Sequence, residues 1–96
     1  MKIEIYYARI CGLCTEAIQF FRSRGATFTA YAVEWDGEKE EFVDSENSRA
    51  MHNRCGEKVD FVPQMFIGDL HIAGWKKLKP MIESGEIDRL IPKPRE

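Results

Sequence analysis

The chain opens with an alternation. In "KIEIYY", Ile3 and Ile5 are interleaved with Lys2 and Glu4, and the stretch is β-branched and aromatic, which predicts a strand over residues 2–7. The period then changes. Cys14, Ala17, Ile18 and Phe21 fall at i, i+3, i+4 and i+7, one buried stripe of an amphipathic helix running from Gly12 to Arg24. Arg22 and Arg24 suit the negative end of that helix, and Gly25 is a fitting stop. "TFTAYAVEW", Thr27 to Trp35, returns to β-rich composition and predicts a second strand. A strand–helix–strand unit of this size favours two parallel strands joined by a right-handed crossover.

Beyond Trp35 the pattern weakens. Asp36-Gly37 signals a turn, and residues 36–43 are expected to form an inserted loop with some local order. Asp44 or Ser45 can cap a helix that passes through Ala50 and Met51 to about Cys55, where Gly56 stops it. After Pro63, Met65–Ile67 and Leu70–Ile72 flank Gly68-Asp69, which reads as a hairpin around a two-residue turn with glycine first. Leu78, Met81 and Ile82 share one helical face. Pro80 fits there only if the helix begins shortly before it or kinks. Gly85 breaks that run, "EIDRLI" adds a short final helix, and residues 92–96 form a tail. The order is β-α-β-α-β-β-α in one domain spanning residues 1–96, without repeats or low-complexity segments.

Composition narrows the class. At 96 residues, 44% hydrophobic and 31% charged, the chain has the profile of a globular protein large enough to build a core without staples. Its apolar runs are only a few residues long, far below the ~20 of a membrane span. "MKIEIYYARI" lacks the apolar segment and cleavage site of a secretory signal, so a cytoplasmic location is expected. A net charge of -2 gives no basic face for general nucleic-acid binding. The charge is uneven, however. Glu34, Asp36, Glu38, Glu40, Glu41, Asp44 and Glu46 stand against Lys39 alone in one stretch, and "KKLK" occupies positions 76–79. Both read first as solvated faces, and second as steering surfaces for a partner. Tyr6 and Tyr7 are expected to pack within the sheet, and Phe20 and Phe28 in the core. Trp35 is placed to anchor the acidic segment.

The candidate chemistry lies in "ARICGLCTEAIQF". Three cysteines, two of them close together, fit redox or metal chemistry better than a secreted disulfide scaffold. Cys11 falls at the start of the first helix, where unpaired amides and the helix dipole stabilise a thiolate. Cys14 lies one turn further in, on the buried stripe, where a protonated thiol is expected. Gly12 leaves the approach to Cys11 uncrowded, and Arg9 can add positive charge. This asymmetry suits disulfide exchange, with Cys11 attacking and Cys14 resolving. Two other readings remain. The cysteines can be small core residues, or Cys11, Cys14, His52 and Cys55 can together ligate zinc.

Three stretches, "EIYYARICGLC", "FVPQMFIGDLHIAGWKKL" and "SGEIDRLI", together resemble the glutaredoxin family of the thioredoxin fold. The resemblance covers nearly the whole chain except about residues 36–43. It implies a four-stranded mixed sheet in the order 2-1-3-4 with helices on both faces. It also implies a cis Val62-Pro63 bond, Cys11 as nucleophile, Cys14 as resolving thiol, and glutathione as reductant without a resident cofactor or metal. Arg9, Gly12, Leu13, Val62, Pro63, Gly74, Trp75 and Lys76 would line the substrate groove, with Val62 pairing to the ligand backbone and Gly74 admitting it closely. The implied partners are disulfide-bearing proteins and glutathione mixed disulfides, and the implied state is a monomer. Some members share an iron–sulfur cluster between two chains.

The departures are Gly12-Leu13 between the cysteines, Ala8 where lysine is frequent, Phe61 where threonine is usual, and Lys76-Lys77 where acidic residues are common. The two lysines reverse the sign that suits the γ-glutamyl ammonium of glutathione. They leave open recycling by a thioredoxin-type reductase.

Overall fold

The computed structural model describes residues 2–91. The chain forms β1 (Ile3–Ala8), α1 (Gly12–Ser23), β2 (Phe28–Val33), β3 (Trp35–Asp36), β4 (Glu41–Phe42), α2 (Glu46–Cys55), β5 (Gln64–Ile67), β6 (Leu70–Ala73) and α3 (Trp75–Ser84), followed by a 3₁₀ turn, Glu86–Arg89. The main sheet runs β2-β1-β5-β6. β1 pairs in parallel with β2, from Ile3 opposite Phe28 to Ala8 opposite Val33. It pairs antiparallel with β5, Ile5 opposite Met65, and β5 pairs antiparallel with β6. This is the expected thioredoxin-like arrangement, with the implied 2-1-3-4 order of its four long strands.

The period-two pattern sorts the sheet into two faces. Ile3, Ile5, Met65 and Ile67 face Ala17 and Phe21 of α1 and Leu78 of α3. Tyr6, Val33 and Phe66 face Met51 of α2, along with Phe42 and Val59. Phe21, Met51, Met65 and Leu78 are wholly enclosed, each worth roughly 1.5–3 kcal/mol of burial. Phe20 and Phe28 are partly buried against the first cluster, near their expected place. Tyr6 stacks on Tyr31 at 5.0 Å and meets Phe66 edge-on.

The local signals that set the helix ends are present. Ser45 caps α2: its hydroxyl accepts from the Ser48 amide, while the Ser48 hydroxyl accepts from the Ser45 amide. Gly56 ends α2 in the left-handed conformation at φ 80°. α3 begins at Trp75, so Pro80 lies in its second turn, and the helix continues past it to Ser84.

Two expectations need correction. The second strand ends at Val33 rather than Trp35, and residues 36–43, expected as a loop, carry most of a hairpin. Trp35 pairs with Phe42 and their rings meet edge-on at 5.0 Å. Asp36 turns the chain by accepting from the amides of Glu38 and Lys39. The Val43 amide then donates to the Glu34 carbonyl at 2.8 Å. An aspartate holding its own turn and one aromatic pair are enough to order this short segment. The expected tail, residues 92–96, lies outside the described residues.

Candidate active site

β1 is central in the sheet, and the chain leaves it at Ala8 to start α1 at Gly12. This places Cys11 at the N-cap, with extended backbone (φ -154°, ψ 105°). Its sulfur does what a capping oxygen does elsewhere, accepting the Cys14 amide at 3.1 Å. The Cys11 carbonyl accepts both the amide and the hydroxyl of Thr15. Space beside Gly12 is open, and Leu13 is exposed, so one side of Cys11 is free to approach.

Cys14 is one turn on and only 1% exposed. Burial, followed by the hydrogen bond to Cys11, pushes its thiol up to about 12. The expected protonated partner on the buried stripe is therefore what the fold produces. All three cysteines are free thiols.

The opposite wall is the segment before β5. The Val62-Pro63 bond is cis, as the resemblance implies. The Cys11 thiol lies 3.9 Å from the Val62 carbonyl. Pro63 is buried, and its carbonyl accepts the Gly74 amide at 2.9 Å, which ties the segment to the start of α3. Cys11, Cys14, Gly12, Leu13, Val62, Pro63 and Gly74 thus belong to one continuous region. Trp75 is half-buried and packs against the core, and Lys76 is exposed on the first turn of α3. Arg9 is exposed on the other side, in the wall of a cavity toward β2 and the hairpin.

Gly74 differs in detail from expectation. Its φ of 85° and ψ of 164° suit glycine alone. A Cβ placed there would lie 3.1 Å from the Phe61 ring. The space that glycine opens is thus covered by the chain's own Phe61, the residue standing where the family usually has threonine.

The four-ligand zinc arrangement is not assembled. The His52 Nδ1 accepts the Val59 amide at 3.0 Å and so braces the chain after α2. Among the described residues no group of three or more His, Cys, Asp or Glu side chains is placed to share an ion.

A polar cluster behind the site escaped the sequence reading. Gln64 is fully buried in β5, and its amide nitrogen donates to the Phe61 carbonyl. Its oxygen accepts from His71 Nε2 at 2.6 Å and from the Cys55 thiol at 3.7 Å. The amide orientation fixes the proton of His71 on Nε2. Burial and the nearby Arg54 lower the His71 pKa below its ordinary 6.5. Burial raises that of Cys55. A glutamine in an otherwise apolar strand, "QMFI", was the available signal.

A thiol accepting an amide at a helix start, a buried second thiol one turn away and a cis-proline segment opposite them define a thioredoxin-like thiol–disulfide oxidoreductase. Comparison with known proteins narrows the class. The chain is 32% identical over 90 residues to a probable glutaredoxin of Synechocystis sp., covering 94% of this chain and 92% of the relative. Its fold matches a glutaredoxin of Brucella melitensis with a TM-score of 0.67 at 25% identity, over 95% of this chain and 88% of that one. It also matches a buckwheat glutaredoxin solved as a complex with glutathione, with a TM-score of 0.69 at 19% identity, over 93% and 74% of the two chains. No family model matches the chain. The chain belongs to the glutaredoxin family.

Proposed function

We propose that the chain reduces disulfides of proteins, and mixed disulfides of glutathione, through Cys11 and Cys14 in the cytoplasm. The observation that carries this is the asymmetry of the pair: Cys11 Sγ accepts an amide at the helix start, while Cys14 is enclosed and protonated. The Cys11 thiolate attacks one sulfur of the substrate disulfide. A mixed disulfide forms and the other substrate sulfur leaves as a thiolate. Cys14 then gives up its proton to that leaving thiolate or to water and attacks Cys11 Sγ. This releases the second substrate sulfur and leaves a Cys11–Cys14 disulfide. Two electrons have passed to the substrate.

Two glutathione thiols return the pair to the dithiol and become glutathione disulfide. The buckwheat relative, solved with glutathione, supports this choice of reductant. Val62 offers its backbone beside Cys11 for strand-like pairing with the ligand, and Pro63, Gly74 and Leu13 shape the groove around it. Trp75 and Lys76 border the groove at the start of α3, and Arg9 borders it on the other side.

Lys76, exposed and followed by Lys77, favours a second reading for recycling, in which a thioredoxin-type reductase replaces glutathione. Coupled assays decide between them. With glutathione and its reductase, NADPH consumption should depend on Cys11 and disappear in Cys11→Ser. Consumption only with a thioredoxin reductase would overturn the choice of reductant. Full activity of Cys11→Ser would overturn the mechanism.

A further inference from the structure

Ile10, the residue before Cys11, is 100% exposed. One exposed isoleucine is unremarkable, but this one has company. Trp35 and Val43 are also exposed, at 43% and 38%, and all three line one cavity of about 730 Å³. Val33 closes its floor and Arg9 stands in its near wall. The cavity lies between the chain leaving β1 toward Cys11 and the β3–β4 hairpin, and its lining reaches Ile10, the residue before Cys11.

The hairpin side carries net negative charge: Glu34 lines the cavity, and Glu38 and Glu40, with Lys39 between them, are exposed at the hairpin turn beyond it. The neighbouring acids Glu41 and Asp44 are paired, with Lys58 and Arg49. Glu34, Glu38 and Glu40 belong to none of the ion pairs among the described residues. The other side of the site has the opposite sign. β2 and β6 are the two edges of the sheet, and the hairpin follows β2 while α3, with Lys76 and Lys77, follows β6. Glutathione, with two carboxylates and one ammonium, is net anionic and gains less from these acids than a lysine-bearing polypeptide does.

We propose that this cavity docks the polypeptide flanking the substrate's cysteine. It selects protein disulfides in which an apolar side chain enters between Ile10, Trp35 and Val43, while lysine or arginine side chains meet Glu34, Glu38 and Glu40. The inference rests on the exchange reaction proposed for Cys11 and names the class of substrate it serves. Complementary charge on exposed groups acts mainly on encounter, so the preference weakens with salt.

The test uses the pre-reduced full chain and three disulfides. One is 2-hydroxyethyl disulfide. The others are two octapeptides, each with a leucine near a cysteine held as a mixed disulfide with 5-thio-2-nitrobenzoate, identical except that two lysines in one are glutamates in the other. At low salt the lysine peptide should react roughly tenfold faster than the glutamate peptide. In the Glu34→Gln/Glu38→Gln/Glu40→Gln variant that ratio should fall severalfold, with the rate on 2-hydroxyethyl disulfide unchanged. Val43→Ser should slow both peptides and spare the small disulfide. Equal rates for the two peptides in the wild type, or a ratio untouched by the triple variant, would overturn the docking site while leaving the exchange reaction standing. Inactivity toward all three disulfides would overturn both.

Discussion

Cys11 and Cys55 approach the same short segment, Phe61 to Gln64, from two different helices, and they meet opposite environments. Cys11 stands at the start of α1, accepts an amide, faces the Val62 carbonyl and has open space beside it. Cys55 is the last residue of α2. Its thiol donates to the buried Gln64 oxygen, and burial holds it in the protonated form. The two stand at opposite ends of their helices, Cys11 at the start of α1 and Cys55 at the end of α2. The side chain is the same in both places. Its position along a helix decides which partners it meets and how open it is to approach.

The sharpest way to break this contrast is to remove each sulfur. Cys11→Ser should lower disulfide reduction by at least about a thousandfold, whereas Cys55→Ser should keep it within about twofold in the same glutathione-coupled assay. Comparable losses would erase the distinction. Next in size, Cys14→Ser should lower turnover of protein disulfides by about a hundredfold, with mixed-disulfide protein accumulating in mass spectra, because the resolving attack is lost.

On the Cys55 side the expected effects are on stability. Gln64→Leu removes the donor to the Phe61 carbonyl and the acceptor of His71, and should cost about 1–3 kcal/mol in urea denaturation. The pH dependence of stability should be smaller and distinct for the two sides. His71 has a lowered pKa in the folded protein, so the unfolded chain takes up its proton first, and stability should fall as pH drops below 6.5. His71→Gln should flatten that limb. Cys14, raised from 9.0 to about 12, keeps its proton in the folded state, so its contribution is constant below 9.0 and is lost as pH rises from there toward 12. Urea midpoints for wild type and Cys14→Ala across both limbs test each sign, because only the alkaline slope should change in Cys14→Ala.

What could be read from the sequence is what the chain decides locally. The stripe of Cys14, Ala17 and Phe21, the Ser45 cap, the Gly56 stop and the Gly68 turn all depend on neighbours within a few residues, and their spacing is visible in one dimension. The Cys11–Cys14 asymmetry was legible for the same reason. The contacts that shape the groove were not. Phe61 covering Gly74 joins positions 13 apart, and the Gln64–His71–Cys55 cluster joins two strands to the end of a helix. The pattern predicts a loop where the hairpin stands because two-residue strands are too short for a period to show, and its order comes from the Asp36 turn and the Trp35–Phe42 pair.

Cys14, the resolving thiol of the proposed exchange, is also a member of the core. It sits on the same buried stripe as Ala17 and Phe21, at 1% exposure. A change of bonding at its sulfur is therefore registered by the packing of α1 and cannot stay confined to the surface. If Cys14 bonds to Cys11 in the proposed exchange, the packing of α1 would carry the electron count, and amide exchange along that helix would gauge whether the molecule is charged with electrons or spent.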